Sequence, residues 1–217
     1  MQELRRNYTL RMLEREDLAE DPLEQFRRWF EEANAAKSVD WLEVNAMTLA
    51  TYDIETAQVD ARVVLLKRTD QQGFTFFSNY DSDKGKQLTG HPAASLVLYW
   101  PHLERQVRIQ GTVSKTDRAT SEQYFHDRPR SSQLGAVASC QSAPITHRSL
   151  LEAEVARLEK QYQDQQIPCP ENWGGYICTP RSIEFWQGRP DRLHDRFRYS
   201  RGAANAAGQW KIERLSP

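Results

Sequence analysis

The run Ala61-Arg62-Val63-Val64-Leu65-Leu66-Lys67-Arg68, then Thr69-Asp70-Gln71-Gln72-Gly73, then Phe74-Thr75-Phe76-Phe77-Ser78-Asn79 reads as strand, turn, strand. Val, Leu, Phe and Thr fill the two apolar runs, and the polar segment between them, closing on glycine, is turn chemistry. The same texture extends in both directions. Ala46–Tyr52, Ala94–Trp100 and Gln106–Lys115 are further strands by composition, and Gly175–Thr179, Ser182–Gln187, Leu193–Tyr199 and Gln209–Leu215 follow near the C-terminus. Many strands with short connections and brief helical interruptions predict an antiparallel sheet that closes or nearly closes. A βαβ spacing is absent, as are GxGxxG and Walker-type loops, which argues against Rossmann and P-loop folds.

Helices flank the strands. Asp21-Pro22-Leu23-Glu24 carries an N-cap, a proline at the first helical position and the acid of a capping box. Phe26, Trp29, Phe30 and Ala33 then follow at helical spacing as one packing stripe. Asp117–His126 and Ser149–Gln166 also read as helices. The second opens on another capping box, Ser149 to Glu152, and carries Leu151, Val155, Leu158 and Tyr162 on one face. Residues 1–20 are polar and of mixed charge and read as a mobile arm before a single domain over 21–217. Ala203–Gly208 reads as a loose hairpin loop.

Composition bounds the function. A net charge of −1 argues against a general polyanion or nucleic-acid binder, so any basic site must be local. Cys140, Cys169 and Cys178 are odd in number and lack metal-ligand spacing, which fits reduced thiols, no disulfide framework and no metal. The charged N-terminus has no apolar signal core and no 18-residue apolar run exists, so a cytoplasmic protein without a membrane partner is expected.

Five clusters could carry chemistry. In Asp191-Arg192-Leu193-His194-Asp195-Arg196, strand alternation would put Arg192, His194 and Arg196 in one row about 13 Å long, suited to an anionic ligand that exchanges a proton. Alone, the segment fits a solvated edge strand better. Arg62 and Lys67 end an apolar strand, on opposite faces by alternation. Ser78 to Lys86 runs from a strand end into a helix, offering hydroxyls, lysines and free amides to a phosphate, although Asp83 is a poor phosphate neighbour. Tyr124, Arg128 and Ser132 are spaced by four and would converge if Pro129 did not break the helix. Gln141 and Ser142, with Gln106 and Trp186, offer amides, a hydroxyl and an indole to a planar heterocycle.

These clusters stand in RVVLLK (62–67), LERQVRIQG (103–111), YFHDRPRSSQLGA (124–136), QS (141–142), WGGY (173–176), IEFWQG (183–188), RLHDRF (192–197) and WKIERLSP (210–217). In this order they resemble the pyridoxine (pyridoxamine) 5′-phosphate oxidase family, from about Arg5 to the end of the chain. The resemblance implies a split β-barrel, mainly β with flanking helices, that binds FMN between the subunits of a homodimer, with residues 173–217 as dimerisation and active-site strands. It implies oxidation of pyridoxine 5′-phosphate and pyridoxamine 5′-phosphate to pyridoxal 5′-phosphate, with O2 as acceptor. Carried over residue by residue, Arg62, Val63, Val64, Leu65, Leu66, Lys67, Phe77, Ser78, Lys84, Gln106, Gln141, Ser142, Trp186 and Arg196 would contact FMN. Lys67, Tyr124, Arg128 and Ser132 would hold the substrate phosphate. Arg192, Leu193 and His194 would meet the substrate ring, with Arg192 and His194 catalytic, and Arg5 and Tyr8 would cover the site. Two positions depart from the family pattern: Asp83 stands where a basic residue is common, and Glu43 replaces a shorter acid. The alternatives are a related FMN split-barrel oxidoreductase acting on another heterocycle, and a non-catalytic flavin or pyridoxal-phosphate binder.

Overall fold

The computed structural model describes residues 7–201 and 209–217. Among these, the strands are β1 (Ala46–Asp53), β2 (Gln58–Leu65), β3 (Arg68–Asp70), β4 (Gly73–Asn79), β5 (Ala93–Trp100), β6 (Arg105–Lys115), β7 (Trp173–Gln187), β8 (Asp195–Ser200) and β9 (Lys211–Arg214). The helices are α1 (Pro22–Ala35), α2 (Asp83–Gly90), α3 (Arg118–Asp127), α4 (Arg130–Ala138) and α5 (Arg148–Gln161). All nine strands share one antiparallel sheet in the order β2-β1-β5-β6-β7-β4-β3, with β8 beside β7 and β9 beside β8. The expected fold class is the observed one.

The two ends of this path, β2 and β3, are separated in the chain only by Leu66 and Lys67. A connection that short reaches about 11 Å at most, so the ends lie together and the sheet curls into a barrel split at this seam. Leu66 donates its N–H to the Asn45 carbonyl at 2.8 Å and accepts from Asn45 Nδ2 at 3.1 Å, while the Lys67 N–H bonds the Thr75 carbonyl at 2.8 Å. The chain kinks here, so β2 ends at Leu65 and the single strand expected over 61–68 becomes two.

Strand β7 is the spine. It pairs with β6 along its length, with β4 over its first half and with β8 over its second. Two strands were expected here, and one bulged strand is found. Gly111 faces Pro180 and Gln110 faces Ser182, leaving Arg181 as the extra residue. The bulge accommodates a proline that cannot donate to the ladder.

Inward residues of the strands fill the barrel: Leu49, Phe74, Phe76, Leu96, Leu98, Val107, Ile109, Ile183 and Phe185 are wholly buried. Helix α1 covers one end, with Phe26 edge-on to Phe74 at 4.9 Å and Trp29 edge-on to Phe185 at 5.2 Å. Each such side chain contributes about 1.5–3 kcal/mol by leaving water. A smaller core of Phe125, Leu134, Leu158, Ile167 and Trp173 joins α3, α4 and α5 to the start of β7.

Neither expected capping box forms. Asp21 does cap α1 through the Leu23 N–H at 3.0 Å, but Glu24 pairs with Arg27 and Arg28 instead. Helix α5 begins at Arg148 and ends at Gln161; its N-cap His147 makes no side-chain cap, and Glu152 pairs with Arg148 at 2.7 Å. The expected arm is, from residue 7 onward, laid along the barrel. The Thr9 and Leu10 amides donate to Glu104 Oε2 at 2.9 and 3.1 Å, the Leu13 amide donates to Asp195 Oδ2 at 3.1 Å, and Leu13 and Leu18 are buried. The loop expected at 203–208 lies outside the described residues.

Two glycines separate backbone necessity from free space. Gly73 turns the β3–β4 hairpin at φ 139°, where an added Cβ would stand 2.1 Å from the Cys178 carbonyl oxygen, whereas a Cβ on Gly135 in α4 meets nothing within 4 Å. Gly73→Ala is expected to lower stability by about 2 kcal/mol or more, and Gly135→Ala to raise it by about 0.5–1 kcal/mol. Chemical denaturation of the two variants checks both signs.

Candidate active site

A cleft of about 510 Å³ opens along the seam where the barrel splits. Arg62, Val63, Val64, Leu65 and Lys67 form one wall, Phe77, Ser78, Lys84 and Gln141 the back, and Tyr124, Arg128, Pro129, Ser132 and Trp173 the opposite wall. Arg62 and Lys67 therefore share the cleft, although alternation placed them on opposite faces. The strand ends at Leu65, and the kink returns Lys67 to the same side. Leu66 does not line it; its side chain is 6% exposed in the barrel core.

The back of the cleft is a polar junction. Gln141 Oε1 accepts from Lys84 Nζ at 2.8 Å and from Ser78 Oγ at 3.2 Å, and Ser142 Oγ accepts from the Asp83 N–H at 3.2 Å. Ser142 adopts a left-handed φ of 75°, which turns the 141–142 pair onto the start of α2. Burial, and then the Arg62 charge, push the Lys84 ammonium below its ordinary value, so an anion arriving here would relieve it. Arg62 is already engaged by Asp60, Thr51 and the Leu49 carbonyl. Asp83 faces away, into a separate depression with Asp53, Glu55 and Lys86. Glu43 is exposed ahead of β1, where its carbonyl accepts from the Ala46 N–H at 3.0 Å.

The opposite wall forms because the helix breaks, not in spite of it. Helix α3 ends at Asp127, Pro129 intervenes and α4 starts at Arg130, yet Tyr124, Arg128 and Ser132 all reach the cleft. Phe77 stacks on Tyr124 at 3.9 Å, and Lys67 Nζ stands 6.0 Å from the same phenol ring. Arg128 is the outstanding group. Its Nη1 is shielded from water without a hydrogen-bond partner, and burial pushes its pKa down. A partly desolvated guanidinium with an unused donor on a cleft wall is chemically suited to an anion.

The remaining candidates gather elsewhere. Gln106, Trp186 and Arg196 face one another across β6, β7 and β8, forming one row on the sheet. Arg196 Nε and Nη2 both bond Glu184 Oε1 at 2.9 Å, and Nη1 bonds the Ser216 carbonyl at 2.9 Å. His194 leans on Trp186 at 4.6 Å, and Tyr8 of the arm stands edge-on to both rings at 5.7 Å. Gly188 is the seat for Tyr8, since a Cβ there would approach Tyr8 Cγ to 2.7 Å. None of these residues lines the seam cleft. Arg5 lies outside the described residues.

The expected row Arg192–His194–Arg196 is not a strand. Pro190–Arg192 forms a tight helical turn with Asp191 and Arg192 at φ 55° and 63°, and β8 begins only at Asp195. Arg192 and Leu193 consequently project into solvent from a loop while His194 folds back. His194 Nδ1 accepts from the Arg189 N–H at 3.1 Å, which places the proton of the neutral ring on Nε2. Sequence reasoning missed Trp173 in the cleft wall. Its only signal was a large aromatic directly before two glycines, and Gly174 is required there because a Cβ would strike Tyr80 Oη at 2.1 Å.

Comparison with known proteins agrees with this architecture. Residues 24–162 match the family described as Pyridoxamine 5′-phosphate oxidase, and residues 173–217 match the Pyridoxine 5′-phosphate oxidase C-terminal dimerisation region. A Pyridoxine/pyridoxamine 5′-phosphate oxidase of Rhodopirellula baltica is 52% identical over 218 residues, covering 100% of this chain and 96% of that protein. One from Burkholderia cenocepacia is also 52% identical, covering 99% and 98%. Among solved structures, PhzG from Burkholderia lata in complex with tetrahydrophenazine-1-carboxylic acid superposes with a TM-score of 0.84 at 29% identity, over 93% of this chain and 95% of PhzG. A pyridoxamine 5′-phosphate oxidase-related, FMN binding protein from Nostoc punctiforme shares the fold, with a TM-score of 0.70 at 15% identity over 92% of this chain and 100% of its own.

The fold and its seam cleft define a split-barrel protein of the FMN-binding type. Within that class, the chain belongs to the pyridoxine/pyridoxamine 5′-phosphate oxidase family.

The His194 environment predicts its titration. Burial first, then the Arg192 charge, lower its pKa from 6.5, with Asp195 opposing. The neutral ring should persist below the pH at which a free histidine protonates. An NMR titration is expected to give a midpoint under 6.5 that moves upward in Arg192→Ala; a midpoint above 6.5 contradicts the assignment.

Proposed function

We propose that the chain is an FMN-dependent oxidase that converts pyridoxine 5′-phosphate and pyridoxamine 5′-phosphate to pyridoxal 5′-phosphate, with O2 as acceptor. The products beside the aldehyde are H2O2 and, from the amine, ammonia. The observation that carries the reading is Arg128, a half-buried guanidinium whose Nη1 has no hydrogen-bond partner, on a cleft wall shared with Lys67, Tyr124 and Ser132. Two cations, a phenol and a hydroxyl suit a phosphate dianion.

The back of the cleft fits the cofactor. Ser78, Lys84 and Gln141 offer donors and an acceptor, Arg62 adds charge, and the backbone of 62–65 offers an edge for a planar ring. Bound FMN would supply the two-electron chemistry at C4′ and its discharge to O2. The protein's own residues bind and orient. The phosphate clamp contributes binding energy remote from the reacting carbon and so fixes the substrate's pose. Arg192 stabilises negative charge at the ring substituents, and His194, neutral with its proton on Nε2, donates a hydrogen bond to the ring.

The cleft and the Gln106–Trp186–Arg196 row are separate groups on one chain. A homodimer would unite them, the cleft of one subunit receiving the row and the 192–194 loop of its partner. The match of residues 173–217 to a dimerisation region supports this, because those residues include Trp186, His194 and Arg196. Exposed Val59 and Val63 on β2 offer apolar surface for the contact. The PhzG likeness raises a second reading, an oxidase acting on another ring. The phosphate clamp favours the phosphorylated substrate.

Purified full-length protein with added FMN is expected to be yellow and to release peroxide and pyridoxal 5′-phosphate from both substrates in air. Protein that takes up no flavin would sink the reading, and peroxide release only from unphosphorylated heterocycles would favour the second one. Arg192→Ala and His194→Ala should each lower kcat/KM by about a hundredfold or more while flavin content holds. Loss of flavin in these variants would instead assign them a structural role.

A further inference from the structure

Most arginines fixed in this protein are fixed by an acid. Arg105 has Glu32 at 2.8 Å, Arg196 has Glu184 at 2.9 Å, Arg189 has Asp195 at 3.6 Å, and Arg62 pairs with Asp60. Arg128 is half-buried and makes no ion pair among the described residues. What it does have is an indole: its guanidinium carbon lies 4.7 Å from the Trp173 ring centre, with Phe125 further off at 5.9 Å. Trp173 belongs to a parallel slab. It stands 5.7 Å from Phe77 at an interplanar angle of 16°, and Phe77 stacks on Tyr124 at 3.9 Å and 24°. Trp173 and Tyr124 are themselves 6.3 Å apart and tilted by only 8°. The slab is anchored at its base, where the Trp173 N–H bonds the Pro170 carbonyl at 3.1 Å.

We propose that Trp173 is the positioning residue of the phosphate clamp, holding the Arg128 guanidinium by a cation–π contact beside the nearly parallel Tyr124 ring. This rests on the reading of the cleft as a phosphate site. A carboxylate in the same place would fix Arg128 equally well, but it would neutralise the charge and occupy the in-plane N–H donors that a phosphate needs. An aromatic face attracts the cation from above and leaves those donors free. The slab thus solves two problems with one element: it holds a desolvated cation in place, and it keeps that cation available.

The test is titration calorimetry of inorganic phosphate into the full-length, FMN-loaded protein, comparing the unaltered chain with Trp173→Phe, Trp173→Leu, Arg128→Ala and the Trp173→Leu/Arg128→Ala pair. Trp173→Leu is expected to weaken phosphate binding about fivefold to tenfold, and Trp173→Phe by less. Because Trp173 acts through Arg128, the double variant should bind no more weakly than Arg128→Ala alone. Phosphate binding by Trp173→Leu equal to that of the unaltered chain would overturn the proposal. So would losses that multiply in the double variant. Arg128→Ala that binds phosphate normally would overturn the clamp itself, a different failure. Thermal melting checks folding, and if Trp173→Leu does not fold, Trp173→Phe alone and on Arg128→Ala carries the same comparison.

Discussion

The structure depends on how its sheet is closed. Strands at opposite ends of the hydrogen-bonded path are joined by only Leu66 and Lys67, so closure is imposed by the covalent chain before any side chain is considered. Leu66 commits both backbone polar groups to Asn45 and its side chain to the core. Lys67 is then delivered to the outside of the seam. The interior is filled by Phe74, Phe76, Leu96, Leu98 and their neighbours, so it is a packed core with no room for a ligand. The seam, where the sheet fails to zip, leaves the cleft of about 510 Å³.

Charge is distributed to match. Across the row of β6, β7 and β8, Glu184 pairs with Arg196 at 2.9 Å and, at 3.5 Å, with Arg108, so both cations share one acid. In the cleft, Arg128 pairs with no acid among the described residues, and the Lys84 ammonium is pushed below its ordinary value by burial and by Arg62. An unneutralised, partly desolvated cation is disfavoured until something anionic arrives, which makes it a poor stabilising device and a good binding device. The same residue type therefore does two jobs, distinguished by its neighbours rather than by its identity.

That distinction explains what was legible in the sequence. The strand texture was, because apolar and β-branched runs broken by polar turns reflect burial on a pleated surface, and the fold class followed. The ends of strands were not. Alternation separated Arg62 from Lys67 and aligned Arg192 with His194, and both inferences failed where the backbone leaves the strand: at the Leu66 kink, and at the left-handed Asp191 and Arg192. Tyr124, Arg128 and Ser132 do share the cleft, but across a helix break that spacing alone would not predict. Trp173 was invisible as a site residue because a buried aromatic reads as core. Here it is core on one side and cleft wall on the other.

His194 shows how a local hydrogen bond narrows a chemical role. From sequence, the imidazole is equally an acceptor or a donor. In the fold, Arg189 N–H points at Nδ1, and the ring is packed between Tyr8 and Trp186, so it cannot turn over without breaking that bond and both aromatic contacts. Protonating Nδ1 would set two N–H groups against each other, and the Arg192 charge opposes it further. The neutral ring is therefore an Nε2–H donor, and both the Arg189 N–H and the Arg192 charge favour that neutral form. In the proposed reaction it steers the substrate's oxygen or ring as a hydrogen-bond donor. The arm contributes by holding Tyr8 in the seat above Gly188, pinned by the Thr9 and Leu10 amides on Glu104. Orientation of one imidazole thus draws on a loop turn, a glycine and a carboxylate distant in sequence, and each of the three acts by limiting motion rather than by touching the substrate.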